Sequence, residues 1–173
     1  MSFARVRALV FVGTLAVVAL VFVVVAIVRD SQRTAPGAQG CPEGWVVVDL
    51  RLPEPKEVKI NIFNATSNSG LAQQVAEDFR NRQFQVKKVS NSKKAVQEVA
   101  VLRYGPKAYG AGHLLRSYFL DEAVEQYDKN RKDDTVDVII GTGFQQLGTT
   151  TEVNQSVAAL GKPALPAGSC AAQ

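Results

Sequence analysis

A chain of 173 residues, 46% hydrophobic and 21% charged, has material for one ordinary domain with an appendage and does not have the composition of a disordered or fibrous protein. Its 20 Lys and Arg against 16 Asp and Glu give a formal charge of +4, and these charges are unevenly spread. One histidine, His113, and two cysteines leave too few ligands for a His/Cys metal centre once the cysteines pair, so no metal or other cofactor is expected.

The appendage comes first. Ala8 to Val28 is an uncharged apolar run of 21 residues, about 31 Å long as a helix, which matches a hydrocarbon core of about 30 Å. Arg5 and Arg7 would also suit a cleaved signal peptide, but the run is longer than an ordinary signal core and leads into Arg29 and Asp30 rather than a small-residue cleavage site. The expected organisation is a short cytoplasmic tail over 1–7, a transmembrane helix over 8–28, a polar linker over 29–40 and an extracytoplasmic domain over 41–173. Flanking charge barely decides the orientation, since Arg29 and Arg33 offset Arg5, Arg7 and the terminal amine. The cysteines decide it: Cys41 and Cys170 bracket the domain, as a disulfide in an oxidising compartment would, with two unpaired thiols near the domain's ends as the alternative. An anchored, disulfide-bonded domain outside the cytoplasm leaves no role for nucleic acid.

Trp45 to Leu50 reads as a short edge strand, stopped by Pro53 and Pro55 before it can run into the next element. Val58, Ile60 and Ile62 then alternate with polar residues at the period of a half-buried strand, and Asn64 to Gly70 is a run of turn residues. From Leu71 the apolar positions become Leu71, Ala72, Val75, Ala76 and Phe79, one face of a helix whose first turn Ser67, Asn68 or Ser69 can cap. Phe84, Val86 and Val89 predict a second strand, with an exposed turn at Asn91 to Lys94. A third lies within Val96 to Tyr104, with Val99, Val101 and Arg103 on one face and Ala100, Leu102 and Tyr104 on the other. Pro106 opens a second helix over about Lys107 to Leu120, in which Gly110 and Gly112 permit close packing. Ala123 to Tyr127 is expected to form a hairpin with the strongly β-forming Thr135 to Ile140, and a short helix follows over Glu152 to Leu160. The fold class is α/β (α+β): a small mixed sheet with two helices packed on it, in β-α-β-β-α-β order, behind one transmembrane helix.

Four stretches recur together in one known family: Asn64-Ala65-Thr66 at a strand end, Ser69-Gly70-Leu71-Ala72 at a helix start, Arg103-Tyr104-Gly105-Pro106 before a second helix, and Val136-Asp137 leading to Gly141 in a last strand. Over about residues 57–145 the chain therefore resembles the LytR C-terminal domain family, in its stand-alone, membrane-anchored form from actinobacterial envelopes. Gln83 departs from the pattern, which has glycine before the aromatic residue there. The resemblance implies an α/β domain that supports cell-wall integrity by binding or scaffolding, and it implies no reaction.

The residues themselves agree on chemistry. Thr66, Ser67 and Ser69 lie in no nucleophile elbow, Gly141-Thr142-Gly143 reads as a plain turn, and Asp121, Glu122, Glu125 and Asp128 read as a solvated face. His113 reads as surface or packing. No catalytic residue is assigned, and the chain is not expected to be an enzyme. The best functional candidate is basic: Arg80, Arg82, Lys87, Lys88, Lys93, Lys94, Arg103 and Lys107 face only Glu98 between positions 80 and 107, whereas seven acids against three bases lie between Asp121 and Asp137. Arg103 beside Tyr104, Lys93 and Lys94 nearby in sequence, and the loop residues Asn64 and Ser69 form the candidate ligand-binding set, suited to phosphates and sugar hydroxyls. An internal salt bridge from Arg103 to Asp78 is the competing use of that guanidinium. The expected partner is a cell-wall polymer or precursor, a peptidoglycan-linked glycan, with recruitment of envelope-synthesis proteins as the alternative and the membrane engaged through 8–28.

Overall fold

The computed structural model describes residues 41–172, together with residue 13 and residues 16–23. Residues 13 and 16–23 are helical and exposed; the other residues of the expected span over 8–28, the tail over 1–7 and the linker over 29–40 lie outside the described residues. Among the described residues no helix is long and apolar enough to cross a membrane.

From Cys41 onward the chain forms one compact unit. Its strands are β1 (Val46–Val48), β2 (Lys59–Asn64), β3 (Gln85–Asn91), β4 (Ala100–Tyr104), β5 (Val124–Tyr127), β6 (Thr135–Ile140) and β7 (Ser169–Ala171). Its helices are α1 (Leu71–Asn81), α2 (Tyr109–Tyr118) and α3 (Thr150–Ala159). Five strands make one mixed sheet in the order β3-β2-β6-β4-β5. Within it β2 pairs in parallel with β3 and β6, and β4 in parallel with β5, while β4 and β6 run antiparallel. The sheet is thus two crossover units, β2-α1-β3 and β4-α2-β5, joined through β6.

This topology corrects the expected hairpin. Both strands exist where the sequence predicts them, but β5 lies at the sheet edge beside β4, and β6 lies between β2 and β4. The pattern gives the reason: Val136, Val138 and Ile140 are fully buried, as a central strand requires, whereas Val124 is 43% exposed. The sheet consequently holds one strand more than the β-α-β-β-α-β order.

Both α1 and α2 cover one face of the sheet. Ile60, Ile62, Ala100, Leu102, Val136, Val138 and Ile140 meet Val75, Ala76 and Phe79 of α1 and Leu114, Leu115 and Tyr118 of α2 in a single core. Val86 and Val89 both reach this core although three residues apart, against the two-residue period of a strand. A β-bulge accounts for it: Ile60 pairs with Val86 and Asn61 with Lys88, leaving Lys87 as the extra residue.

The N-terminus of α1 differs from expectation. Its N-cap is Gly70 in the left-handed region, φ 82°, with no side-chain cap, so none of Ser67, Asn68 and Ser69 fills that role. Asn64 organises the loop instead: its Oδ1 accepts from the Thr66 amide and hydroxyl at 2.9 and 2.8 Å, and its Nδ2 donates to the Asn68 carbonyl at 2.7 Å. At the other end the Phe84 amide donates to Phe79 and the Gln83 amide to Arg80, the two bonds of a Schellman turn, closed by the Phe79 and Phe84 rings 5.1 Å apart. Gln83 sits at the left-handed position of that turn with φ 71°.

The two glycines of α2 are both spacing residues. A Cβ on Gly112 would enter the Tyr104 ring, and one on Gly110 would strike the Arg51 carbonyl. Arg51 is there because β1 leads past α2: the Asp49 amide donates to Pro106, and Asp49 accepts from the Gly110 amide. The first strand does not extend the main sheet as expected. It pairs in parallel with β7 in a separate two-stranded sheet, since the Cys41–Cys170 disulfide ties the two chain ends together with their Cα atoms 5.9 Å apart.

Candidate functional site

Both crossover helices lie on one side, and the other face of the sheet is partly buried by side chains and loops rather than packed under either of them. Strand alternation sends Lys59, Asn61 and Phe63 of β2, Thr135, Asp137 and Ile139 of β6, and Val101 and Arg103 of β4 to this face. At one end Phe63, Ala65, Val101 and Ile139 form a small apolar cluster under Val96. At the other end the face is polar. Asn61 Nδ2 donates to Asp137 Oδ1 at 2.8 Å, and Arg131 donates to both Asp137 oxygens at 2.8 and 3.2 Å and to Asp133 at 2.8 Å. Burial opposes the Arg131 charge, but its bonds to Asp137 and Asp133 outweigh it and hold the pKa above the ordinary arginine value. Arg131 is thereby a neutralised, structural cation.

The residues singled out from sequence do not come together as one site. Arg103 and Tyr104 point to opposite faces, as neighbours in a strand must: Arg103 is exposed, whereas Tyr104 is 3% exposed under the helices and donates to Glu125 at 2.7 Å. Arg103 makes no salt bridge to Asp78; it donates to Gln126 Oε1 at 3.3 and 3.4 Å. Asn64 is buried and committed to its loop. Ser69 is exposed at the helix start without capping it. Lys93 and Lys94 follow β3, at the edge three strands from Arg103. Three steps of about 4.8 Å put them about 14 Å or more apart across the sheet.

What the fold does gather is a lysine edge. Lys87 projects from the bulge of β3, Lys88 faces outward with its Nζ 5.7 Å from the Phe63 ring centre, and Lys93 and Lys94 are exposed just beyond the strand. The Ser92 hydroxyl bonds the Lys94 carbonyl and amide at 2.8 and 3.2 Å, which fixes that turn. Among the described residues none of these four lysines has a carboxylate within salt-bridge reach. The sequence signal for this edge was the run of bases itself; the bulge that turns Lys87 and Lys88 outward together, and the part played by Asn61, Phe63 and Arg131, were not visible there.

The opposite edge is acidic, and its carboxylates are more engaged than a solvated face would be. Glu125 accepts from Tyr104 and from Arg116 at 3.2 Å, and His113 Nδ1 lies 3.9 Å from it. Asp121 accepts from Arg116 at 2.8 Å, and this bond, with that to Glu125, raises the Arg116 pKa despite burial. Burial first, then the Glu125 bond, pushes the Tyr104 phenol well above its usual range. His113 Nε2 is buried and has no hydrogen-bond partner among the described residues. No group of three His, Cys, Asp or Glu that could hold a metal ion is present among the described residues.

Comparison with known proteins places this geometry. A family model described as the LytR cell envelope-related transcriptional attenuator matches residues 57–144. The crystal structure of the soluble domain of a conserved hypothetical secreted protein from Mycobacterium marinum, an Rv2700 ortholog, superposes with a TM-score of 0.54 at 18% identity, over 68% of this chain and 77% of that one. Likeness at that identity speaks for the fold alone. No curated protein matches the chain.

Proposed function

The chain belongs to the LytR_C family, and on that premise we propose that it is a non-enzymatic cell-envelope protein whose extracytoplasmic domain binds an anionic wall polymer or its precursor along the β3 edge. The observation that carries this reading is the set of four exposed lysines, Lys87, Lys88, Lys93 and Lys94, with no ion-pair partner among the described residues. Unpaired charge along a strand edge concentrates an extended polyanion, and the adjoining Phe63 and Asn61 offer an apolar surface and a carboxamide to its sugars. An extracytoplasmic setting is supported by the Cys41–Cys170 disulfide and by the secreted character of the M. marinum protein. Residues 8–28 would hold the domain at the membrane with the N-terminus cytoplasmic. The finer kinship we propose is with anchored actinobacterial proteins that support wall integrity, such as the mycobacterial envelope integrity protein Cei and its relative VirR.

The test is cosedimentation of the whole chain, in neutral detergent, with purified insoluble cell wall over a range of salt concentrations. Binding that weakens as salt rises supports the reading, because exposed charges are screened over about 10 Å at 0.1 M. Binding that is absent, or indifferent to salt, sinks it.

One observation favours the alternative, a scaffold recruiting wall-synthesis enzymes. Trp45 and Val47 are 50% and 52% exposed two residues apart at β1, beside the disulfide. On that reading, membrane proteins crosslinked by the wild-type chain are lost with Trp45→Ala and kept when the lysines are removed.

A further inference from the structure

We propose that a cleft between the end of α1 and the start of α3 binds a small, hydroxyl-rich anion of monosaccharide size, a sugar acid or a sugar phosphate. The cleft encloses about 330 Å³, at the lower end of the roughly 300–1,000 Å³ of small-molecule sites. Tyr118 and Val153, 7% and 4% exposed, supply its apolar surface. Asn81, Gln83 and Asn154 line it as well, and among the described residues no Asp or Glu does.

Arg82 sets the charge of the ligand. Its guanidinium lies over the Tyr118 ring, 5.6 Å from the centre, and has no carboxylate partner among the described residues. The arginines Arg51, Arg80, Arg116 and Arg131, by contrast, each hold an ion pair. A guanidinium placed over an aromatic ring, with no carboxylate to bind, keeps its planar fork of donors free for a carboxylate or phosphate. Beside it, Gln83 keeps a side chain where the left-handed backbone, φ 71°, favours glycine. Gln83 thereby brings a side chain, where glycine would bring none, to the lining of the cleft. One fixed cation and three carboxamides match an oxyanion joined to several hydroxyls. The cleft uses none of the four lysines of the β3 edge, so it does not depend on the polymer reading.

Titration calorimetry on the whole chain in neutral detergent, with glucuronate, glucose 1-phosphate and glucose as separate probes, tests this and distinguishes carboxylate from phosphate. The expected result is saturable binding of at least one anion, with glucose weaker by about tenfold or more, as loss of a charge-assisted hydrogen bond implies. Arg82→Gln should remove that preference. Asn154→Trp, placed on α3 so that the α1 turn is untouched, should block all binding, with thermal melts showing that both variants fold. The quadruple lysine variant of the β3 edge should bind the anion as the wild type does. No saturable binding of either anion, equal affinity for glucose, or unchanged binding in folded Arg82→Gln or Asn154→Trp would each overturn the proposal.

Discussion

Gln83, like Leu120 and Asp121, is a residue at which local chemistry and fold are at odds, since each has a left-handed backbone without being glycine. The Schellman turn ending α1 needs a left-handed residue, and a side chain there costs about 1–2 kcal/mol, against the smaller entropic cost of glycine. Gln83→Gly should therefore stabilise the domain by about 0.5–1 kcal/mol, raising the melting temperature a few degrees. Unchanged or lowered stability would mean that the glutamine side chain makes contacts worth as much as the strain. The tyrosines make a second test. Burial raises the pKa of Tyr104, Tyr109, Tyr118 and Tyr127, all four in the chain. Above about pH 10, the ordinary value, the unfolded chain loses protons that the folded one keeps, so this contribution is complete below pH 10 and declines as pH rises. Ultraviolet titration should show tyrosinate appearing later than in free tyrosine, and together with unfolding. At this scale sequence resolves alternation but not partners. That Arg103 and Tyr104 face apart follows from β period alone; that Asn64 organises a loop, or that Glu125 takes the Tyr104 hydroxyl, depends on which strands lie side by side.

Among the elements, α2 was legible because its apolar positions repeat at helical spacing and Pro106 precedes it. Its glycines show how packing outweighs propensity. In an isolated helix, Gly→Ala gains about 1 kcal/mol. Here a Cβ at position 112 enters the Tyr104 ring, so Gly112→Ala should instead destabilise by about 1–3 kcal/mol, measured by chemical denaturation. Gly110→Ala should cost more, because its obstacle is the Arg51 backbone rather than a side chain that can turn. The misplaced hairpin has an equally physical origin. Two β-rich runs separated by a polar loop look like a hairpin locally, but the β4-α2-β5 crossover puts β5 beside β4, and the complete burial of Val136, Val138 and Ile140 marks β6 as central. The bulge at Lys87 was likewise readable only as an irregularity, two valines three apart, until the pairing with β2 supplied its cause.

For the whole molecule, two features join distant parts of the chain. The disulfide closes a separation of 129 residues and secures the three-residue pairing of β1 with β7. Replacing both cysteines with serine should cost about 2–5 kcal/mol, with hydrogen exchange rising first in β1 and β7 while the five-stranded sheet stays protected. The second feature is electrical. The sequence separates a basic half from an acidic half, and the sheet order turns that separation into two edges, with β3 basic and β5 acidic. Arg103, basic by position in the sequence, ends near the acidic edge, because strand order and not chain order decides its neighbours. The most direct measurement of the polymer-binding role is wall cosedimentation at one low salt concentration for wild type, the Lys87→Ala/Lys88→Ala/Lys93→Ala/Lys94→Ala variant and Arg103→Ala. Four exposed contacts of about 0.2–1 kcal/mol each predict a loss of roughly fourfold to several hundred-fold for the quadruple variant, and little change for Arg103→Ala. Undiminished binding by the folded quadruple variant would contradict the assignment of the β3 edge as the working surface.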